Sequence, residues 1–364
     1  MCERAHTSGT RPGVNPLGLT TVGGVTTTPP RRKRATVHDV AREAGVSRGT
    51  ISRLLTGEGY VSVEAREAIE AAIRKVGYVP STTARNLVRQ RTSAVGFVVH
   101  EPHSLFLEDP NIGEILLGAN EALSEADYQM VCLVIGSDRD SDRVARYLRG
   151  GFVDGAVVVS ARAHDPITGV MRDSQLPVAF VGHPPDLEGQ SWVGIDNVAS
   201  AREITTRLLG TGRRRVGMLA AALDRDSGAD RLAGFTAALG DRFDPDLVQP
   251  VDLYSYSDGA AGMSALLERA PDVDGVFAAS DALAAGALDA LRRAGRRVPE
   301  DVGLVGFDDS AWARRCTPQL STVEQPAAGL GRAAARSVLA QIAGEQTEPA
   351  AILLDTPVVW RASA

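Results

Sequence analysis

The sequence predicts a small all-α head followed by a large body of two doubly wound α/β lobes. Three observations predict this. In AREAGVSRGTISRLL a glycine separates two short amphipathic helices, the chain from Ala94 onward alternates apolar strands with helices, and the net charge changes sign between these parts. At 364 residues the chain is long enough for about two or three domains.

The head contains a helix-turn-helix pattern. Thr36 is expected to cap the first helix, with Asp39 three residues later, and Gly45 supplies the positive φ that a tight turn needs. Ser47 is expected to cap the second helix, and a third amphipathic helix begins at Ser62. Three short helices in this arrangement are typical of a DNA-binding module.

The charge distribution supports the same interpretation. Residues 31–91 carry 13 Lys or Arg and 6 Asp or Glu, so their net charge is +7, whereas the whole chain has −6. A basic head on an acidic body indicates that the head alone contacts phosphates. Residues 1–34 contain much Gly, Thr and Pro and end in RRKR, which predicts a disordered basic tail.

The body has the pattern of parallel sheets with helical crossovers. Predicted strands cover 94–99, 128–135, 155–160, 177–182, 216–221, 275–280, 302–307 and 352–360, and predicted helices cover 111–126, 138–149, 198–210, 229–240, 258–269, 281–294 and 326–343. About 270 residues with this many strands suit two lobes better than one wide sheet.

Several blocks resemble the lac repressor (LacI) family of bacterial transcription regulators. TVHDVAREAGVSRGTISRLL and VSVEAREAIEAAIRKVGYVPSTTARNL are similar to the family's head and hinge, and VGIDNVASAREITTRLLGTGRRRVGML, GVFAASDALAAGAL and VPEDVGLVGFDDS to its sugar-binding-protein-like core. The resemblance covers 35–363 and implies a helix-turn-helix domain at 35–80, a hinge helix at 81–92 and an effector-binding domain at 93–364. Chain crossings near Val193–Asp196, Phe307–Asp309 and Glu348–Ile352 then give an N-terminal lobe of 93–193 plus 308–347 and a C-terminal lobe of 194–307 plus 348–364.

The candidate DNA-binding residues lie in two segments. Arg48 and Arg53 can each bond bidentately to guanine, which is worth ~1–3 kcal/mol of discrimination per good pair. Positions 48 and 49 match the family's main specificity pair, and Leu87 matches the leucine that unstacks central base pairs in the minor groove, with Ala84 small enough for two hinge helices to meet. The remaining candidates, which suit phosphates or cap the helices, are Thr36, Ser47, Thr50 and Ser52.

The candidate effector residues follow from the resemblance. Arg231 and Asp281 match the family's main contacts in the C-terminal lobe, so Arg231→Ala is expected to abolish the effector response and leave DNA binding intact. Tyr254 or Tyr256 could form a stacking wall, Asp196 belongs to the inter-lobe loop, and Phe106 could replace an aromatic pair that the chain lacks near Asp109-Pro110-Asn111-Ile112. Alternatives for these side chains are a salt bridge across the cleft for Arg231, capping of the following helix for Asp281 and core packing for the tyrosines.

The predicted function is a sequence-specific transcriptional regulator, expected to be a repressor, whose operator binding is controlled allosterically by a small-molecule effector. The expected partners are a near-palindromic DNA operator, a carbohydrate-like effector and a second copy of the chain, in a dimer or a tetramer. An enzyme is disfavoured because GxSxG and P-loop motifs are absent and the GxGxxA at Gly329–Ala334 falls inside a helix. The alternatives are a cytoplasmic sugar-binding or doubly wound, enzyme-like protein, and an activator of the same family. The lack of a signal peptide or apolar span predicts a cytoplasmic, nucleoid-associated protein, and no metal or cofactor is expected.

Overall fold

The computed structural model describes residues 35–56, 59–78, 91–162, 166–183 and 189–364. The chain divides into two compact units, a head and a body, with the division near Arg85. The predicted basic tail and the predicted hinge helix lie outside the described residues. Within the described residues, no helix is both long enough and apolar enough to cross a membrane.

The head is a bundle of three helices. They are α1 (Val37–Ala44), α2 (Arg48–Thr56) and α3 (Val63–Val76). Gly45 ends α1 with φ of 66°, which confirms the predicted left-handed turn. The carboxylate of Asp39 accepts from both the N–H and the hydroxyl of Thr36, at 2.9 and 2.8 Å, so these two residues together cap α1.

The head has its own small hydrophobic core. Val40, Ile51, Ile69 and Ala72 are buried between the three helices, and Tyr78 covers them from the end of α3. An ion pair at 2.6 Å between Lys75 and Glu43 joins α3 to α1. The predicted apolar faces therefore do meet, and the opposite face of α2 is exposed to solvent.

The body contains two parallel sheets, as its alternating pattern predicts. The first lobe is built on six strands in the order β11-β5-β4-β3-β1-β2. These strands are β1 (Ala94–His100), β2 (Gln129–Ile135), β3 (Gly155–Val159), β4 (Val178–Val181), β5 (Ser191–Ile195) and β11 (Ala351–Leu354). All neighbouring pairs are parallel, with Phe97 of β1 between Cys132 and Val157.

The second lobe is built on four parallel strands in the order β7-β6-β8-β9, with a short antiparallel pair beside them. The four are β6 (Val216–Ala221), β7 (Val248–Val251), β8 (Gly275–Ala278) and β9 (Gly303–Val305), and the pair is β10 (Thr322–Val323) with β12 (Val358–Val359).

Helices connect these strands. They are α4 (His103–Glu108), α5 (Pro110–Glu125), α6 (Asp138–Arg149), α7 (Pro166–Asp173), α8 (Asn197–Gly210), α9 (Asp226–Leu239), α10 (Tyr256–Arg269), α11 (Asp281–Arg293), α12 (Ala311–Arg315) and α13 (Ala327–Ala343). Helix α13 packs against α5 so closely that a Cβ on Gly331 would lie 1.9 Å from the carbonyl oxygen of Ile115. Gly331, the second glycine of the GxGxxA sequence, therefore allows α13 to pack closely against α5.

The chain crosses between the lobes three times, and two of the predicted crossings are wrong. The first crossing follows β5, inside the predicted range 193–196. The second lobe keeps residues 308–323, because isolated β-bridges join Val305 to Ser321 and Asp308 to Glu324. The second crossing therefore comes just before α13. The segment 352–360 is two strands in two different lobes, and the third crossing falls between them, after Leu354.

Candidate functional site

In the head, α2 presents an exposed polar face. Arg48, Gly49, Ser52 and Arg53 are all exposed, whereas Ile51 of the same helix is fully buried. The guanidinium of Arg53 donates through Nε to the carbonyl oxygen of Gly49 at 3.3 Å, which holds it along the helix. The face consists of donors that can reach base edges and phosphates, as a recognition helix requires.

The start of α2 is fixed by Ser47. Its hydroxyl oxygen accepts from the N–H of Thr50 at 3.1 Å and lies 2.9 Å from the Thr50 hydroxyl. A Cβ on Gly49 would meet only the Ser47 hydroxyl, at an ordinary 3.6 Å. Since the head would accept a side chain there, the packing of the head does not require the glycine.

Two predicted DNA-binding residues, Ala84 and Leu87, lie outside the described residues. Thr36 is exposed at the start of α1, but its hydroxyl already donates to Asp39.

In the body, a cavity lies between the carboxyl ends of the two sheets, where ligands of doubly wound folds bind. It holds about 740 Å³ of space free of protein atoms, part of it open to solvent. Its lining comprises Glu101, Asp109, Asn111, Ile112, Ile115, Val159, Ser160, Val181, Gly182, Gly194, Ile195, Asn197, Arg225, Asp226, Ser227, Arg231, Tyr254, Asp308, Gln325 and Leu330.

Arg231 of α9 lies in this cavity, as predicted, and is almost fully buried. It donates to Asn197 Oδ1 at 2.9 Å, to the carbonyl oxygen of Ala279 at 2.6 Å and to Gln325 Oε1 at 3.1 Å. Its guanidinium also lies 3.6 Å from Asp308 and 3.7 Å from the centre of the Phe307 ring. This ion pair lies within the second lobe, because Asp308 stays with that lobe, so among the described residues it is not the salt bridge across the cleft that was the predicted alternative.

A second arginine, Arg225, joins the lobes. It forms a bidentate ion pair with Glu101, whose Oε2 accepts from Nη2 at 2.9 Å. Glu101 follows β1 in the first lobe, and Arg225 precedes α9 in the second. Burial lowers the pKa of Arg225, but the charge and hydrogen bond of Glu101, together with Tyr254 and Asp224, raise it, and the net pKa lies above the ordinary value, so the guanidinium stays charged.

Two carboxyl groups in the cavity have altered acidity. Burial raises the pKa of Asp109 to about 6, although its carboxylate accepts from the N–H of Asn111 at 2.9 Å. Burial raises the pKa of Asp308 well above its ordinary value, against the pull of Arg231.

Asp281 is not part of the cavity lining, contrary to the prediction. It is fully buried and accepts from the N–H of Ser310 at 2.8 Å and from the Thr322 hydroxyl at 2.7 Å. Burial raises its pKa to about 7. Asp281 therefore holds the chain after β9 in place, and Asp308 is the carboxyl group that this part of the chain contributes to the cavity.

Three further predicted effector residues also lie away from the cavity lining. Tyr256 stacks on Trp312, with ring centres 5.7 Å apart, while Tyr254 lines the cavity instead. Asp196 caps α8 by accepting from the N–H of Ala199 at 2.8 Å. Phe106 packs against the hydrophobic core.

The sequence reasoning missed most of the polar lining. Glu101 and Ser160 directly follow β1 and β3, and Arg225 and Asp308 come within four residues of the ends of β6 and β9. Polar residues just after buried parallel strands were the available signal, because those strand ends meet at one edge. Within the described residues, no group of three or more His, Cys, Asp or Glu side chains could hold a metal ion.

An exposed recognition helix and a two-lobed body with a polar central cavity define a ligand-responsive, DNA-binding regulator. Residues 36–81 match the family model described as bacterial regulatory proteins, lacI family, and residues 205–364 match the periplasmic binding protein-like domain. The chain belongs to the lacI family of bacterial transcriptional regulators.

Two named regulators are similar to this chain over most of its length. The HTH-type transcriptional regulator CelR of Thermobifida fusca is 42% identical over 338 residues, which cover 92% of this chain and 99% of CelR. The ribose operon repressor of Halalkalibacterium halodurans is 30% identical over 311 residues, covering 84% of this chain and 90% of the repressor.

Solved structures share the fold. A CelR–cellobiose complex superposes with a TM-score of 0.73 at 40% identity, covering 91% of this chain and all of that one. The lac repressor dimer bound to operator and the anti-inducer ONPF gives a TM-score of 0.81 at 23% identity, covering 91% and 99% of the two chains, and shows the likeness of fold.

Proposed function

We propose that this regulator senses an uncharged carbohydrate in the cavity between its lobes and that this ligand controls operator binding. The observation that carries the proposal is the charge of the cavity. Among the described lining residues, four carboxyl groups (Glu101, Asp109, Asp226, Asp308) accompany two guanidinium groups (Arg225, Arg231).

This lining suits hydroxyl groups and disfavours anions. Arg225 is already paired with Glu101, so it offers no free positive charge to a phosphate or carboxylate ligand. Carboxylates and the amides of Asn111 and Gln325 accept and donate hydrogen bonds to hydroxyls, and the ring of Tyr254 provides an apolar face. Cellobiose is the first ligand to test, because it occupies the similar CelR structure.

A thermal-shift screen of the full chain tests the ligand class. Neutral mono- and disaccharides, cellobiose first, are compared with sugar phosphates and purines at equal concentrations. A neutral sugar at about 100 times its Kd should add about 2.7 kcal/mol to the free energy of unfolding, and so raise the melting temperature. The shift should shrink in Asn111→Ala, which changes the lining, and persist in Asp301→Asn, which removes an exposed carboxylate in a surface ion pair. Stabilisation by phosphorylated sugars alone would contradict the proposal.

On the DNA side, we propose a repressor that acts in the cytoplasm, at the nucleoid, as a homodimer on a near-palindromic operator. The exposed Arg48 and Arg53 support direct reading of bases by α2. Leu87, by its match to the family's hinge leucine, would unstack the central step of the operator. Leu87→Ala should weaken operator binding and reduce the bend measured by gel mobility, and unchanged affinity and bending would exclude this role.

A further inference from the structure

One short segment of the second lobe contacts the first lobe at three adjacent strand ends. We call residues 224–230, which comprise the end of the loop after β6 and the first turn of α9, the clasp segment. Its side chains reach Glu101 after β1, Arg162 after β3 and His183 after β4. Since β1, β3 and β4 are neighbours in the six-stranded sheet, the clasp segment covers one continuous edge of it.

The central contact is the ion pair of Glu101 and Arg225. The two side chains are 1% and 4% exposed, so the pair has lost its water. If the lobes separated, both charges would be hydrated again. The closed cleft is therefore stable only while both Glu101 and Arg225 are present, because either one alone would be a buried, unpaired charge.

Weaker contacts flank this pair on both sides. Arg162 donates to Asp224 at 3.1 Å and lies 3.9 Å from Glu101. On the other side, the backbone N–H of His183 donates to Asp226 at 2.5 Å, and its ring lies 2.9 Å from Asp230. These contacts are partly exposed, so each contributes less than the buried pair.

Backbone geometry fixes the same contact. Gly182 has φ of 96°, and a Cβ there would lie 2.6 Å from the carboxylate of Asp226. The first lobe thus approaches the clasp segment at a position that only glycine allows, which defines one closed geometry.

We propose that the clasp segment holds the cleft closed without effector, that the Glu101–Arg225 pair makes closure all-or-none, and that the clasp thereby sets the basal operator affinity. The effect of the clasp on operator affinity rests on the proposed function. If operator binds the closed form, breaking the clasp must lower operator affinity in the absence of ligand, and if operator binds the open form, it must raise that affinity.

Hydrogen exchange of the full chain, with no ligand added, tests the clasp directly. The reporter is the amide of His183, whose acceptor, Asp226, lies across the cleft. Glu101→Gln should speed its exchange about ten-fold or more, because a broken buried pair opposes closure, while amides inside β3 keep their protection. Asp224→Asn, which removes a half-exposed partner, should have a smaller effect, and Asp301→Asn should have none.

The double variant Glu101→Leu/Arg225→Met tests whether Glu101 and Arg225 stabilise the closed cleft as a pair or independently of each other. It should exchange more slowly than either single variant, since no unpaired charge remains. Exchange at the parent rate in Glu101→Gln, or additive opening in the double variant, would overturn the clasp.

Operator titration of Glu101→Gln without ligand completes the test. A changed operator affinity, in either direction, supports the coupling. Faster exchange with unchanged operator affinity would leave the clasp established and reject its control of DNA binding, and absence of any sugar response in the parent would reject the proposed function alone.

Discussion

The arginines of the head and those of the cleft have opposite environments. Arg48 and Arg53 are exposed on α2, whereas Arg225 and Arg231 are about 5% and 4% exposed and are bonded to carboxylates, amides and a carbonyl. An exposed guanidinium costs the fold little and is available to an external partner. A buried one must be paired within the chain, so it stabilises the fold and binds ligand only as part of a network.

The largest expected effect is therefore at Arg231. Arg231→Ala leaves Asn197, Gln325 and Asp308 without their shared donor, and should cost about 3–5 kcal/mol of the body's free energy of unfolding. The contacts thus revise the simple expectation of a variant that loses only its effector response. Urea denaturation measures the loss, and Arg297→Ala, in an exposed ion pair, is the control. A loss within 0.5 kcal/mol, the usual range of surface substitutions, would show that the network is not structural.

Arg48→Ala, unlike Arg231→Ala, should weaken DNA recognition and leave the stability of the fold unchanged. Operator affinity should fall by ~1–3 kcal/mol relative to random DNA, because a bidentate base contact is lost, with no change in melting temperature. Fluorescence anisotropy on both DNAs measures this selectivity. Arg66→Ala, an exposed arginine of α3, should leave it unchanged. Equal losses on operator and random DNA would make Arg48 a phosphate contact.

Ser47→Ala should have an intermediate effect confined to the head. Removing the hydroxyl that caps α2 should cost about 1 kcal/mol of local stability and speed amide exchange in that helix. Ser62→Ala, which removes the equivalent cap of α3, is the matched variant and should leave operator selectivity intact. Unchanged exchange in α2 would mean that the cap does not limit its stability.

The smallest effect concerns His183, which is only half-buried. Its hydrogen bond to Asp230 raises its pKa to about 9, above the ordinary 6.5. The stabilisation is therefore complete below pH 6.5 and is lost as pH rises through 9. Parent and His183→Gln should differ by no more than about 1 kcal/mol at pH 6 and converge near pH 10, as measured by thermal denaturation, because solvent screens the pair. A constant difference across this range would assign the contact to packing.

Much of the architecture was predictable. The helices of the head follow from Thr36, Gly45 and Ser47, and the strand–helix alternation gave both sheets, because these are local patterns with their own capping and periodicity. The two wrong crossings have separate causes. The third is wrong because the apolar residues on both sides of Pro357 do not show that β11 and β12 join different sheets. The second is wrong because β10, only two residues long, has no recognisable strand pattern, although its pairing with β12 keeps 308–323 in the second lobe.

The cleft was less predictable than the head. Arg231 was placed correctly, whereas Asp281, Tyr256, Asp196 and Phe106 lie away from the cavity. A side chain of α2 faces solvent by helical spacing alone. Which side chains meet in the cleft depends on how the two lobes approach each other. The side chains that meet there are far apart in sequence, as Glu101 and Arg225 are.

The sequence by itself thus determined the helix-turn-helix with its exposed helix α2, the class of the body and the family. Only the tertiary structure decided which charges pair across the cleft and where the chain crosses it. Helices and caps depend on neighbours within about four residues, whereas strand order and buried ion pairs depend on contacts that separate chain segments make only after folding.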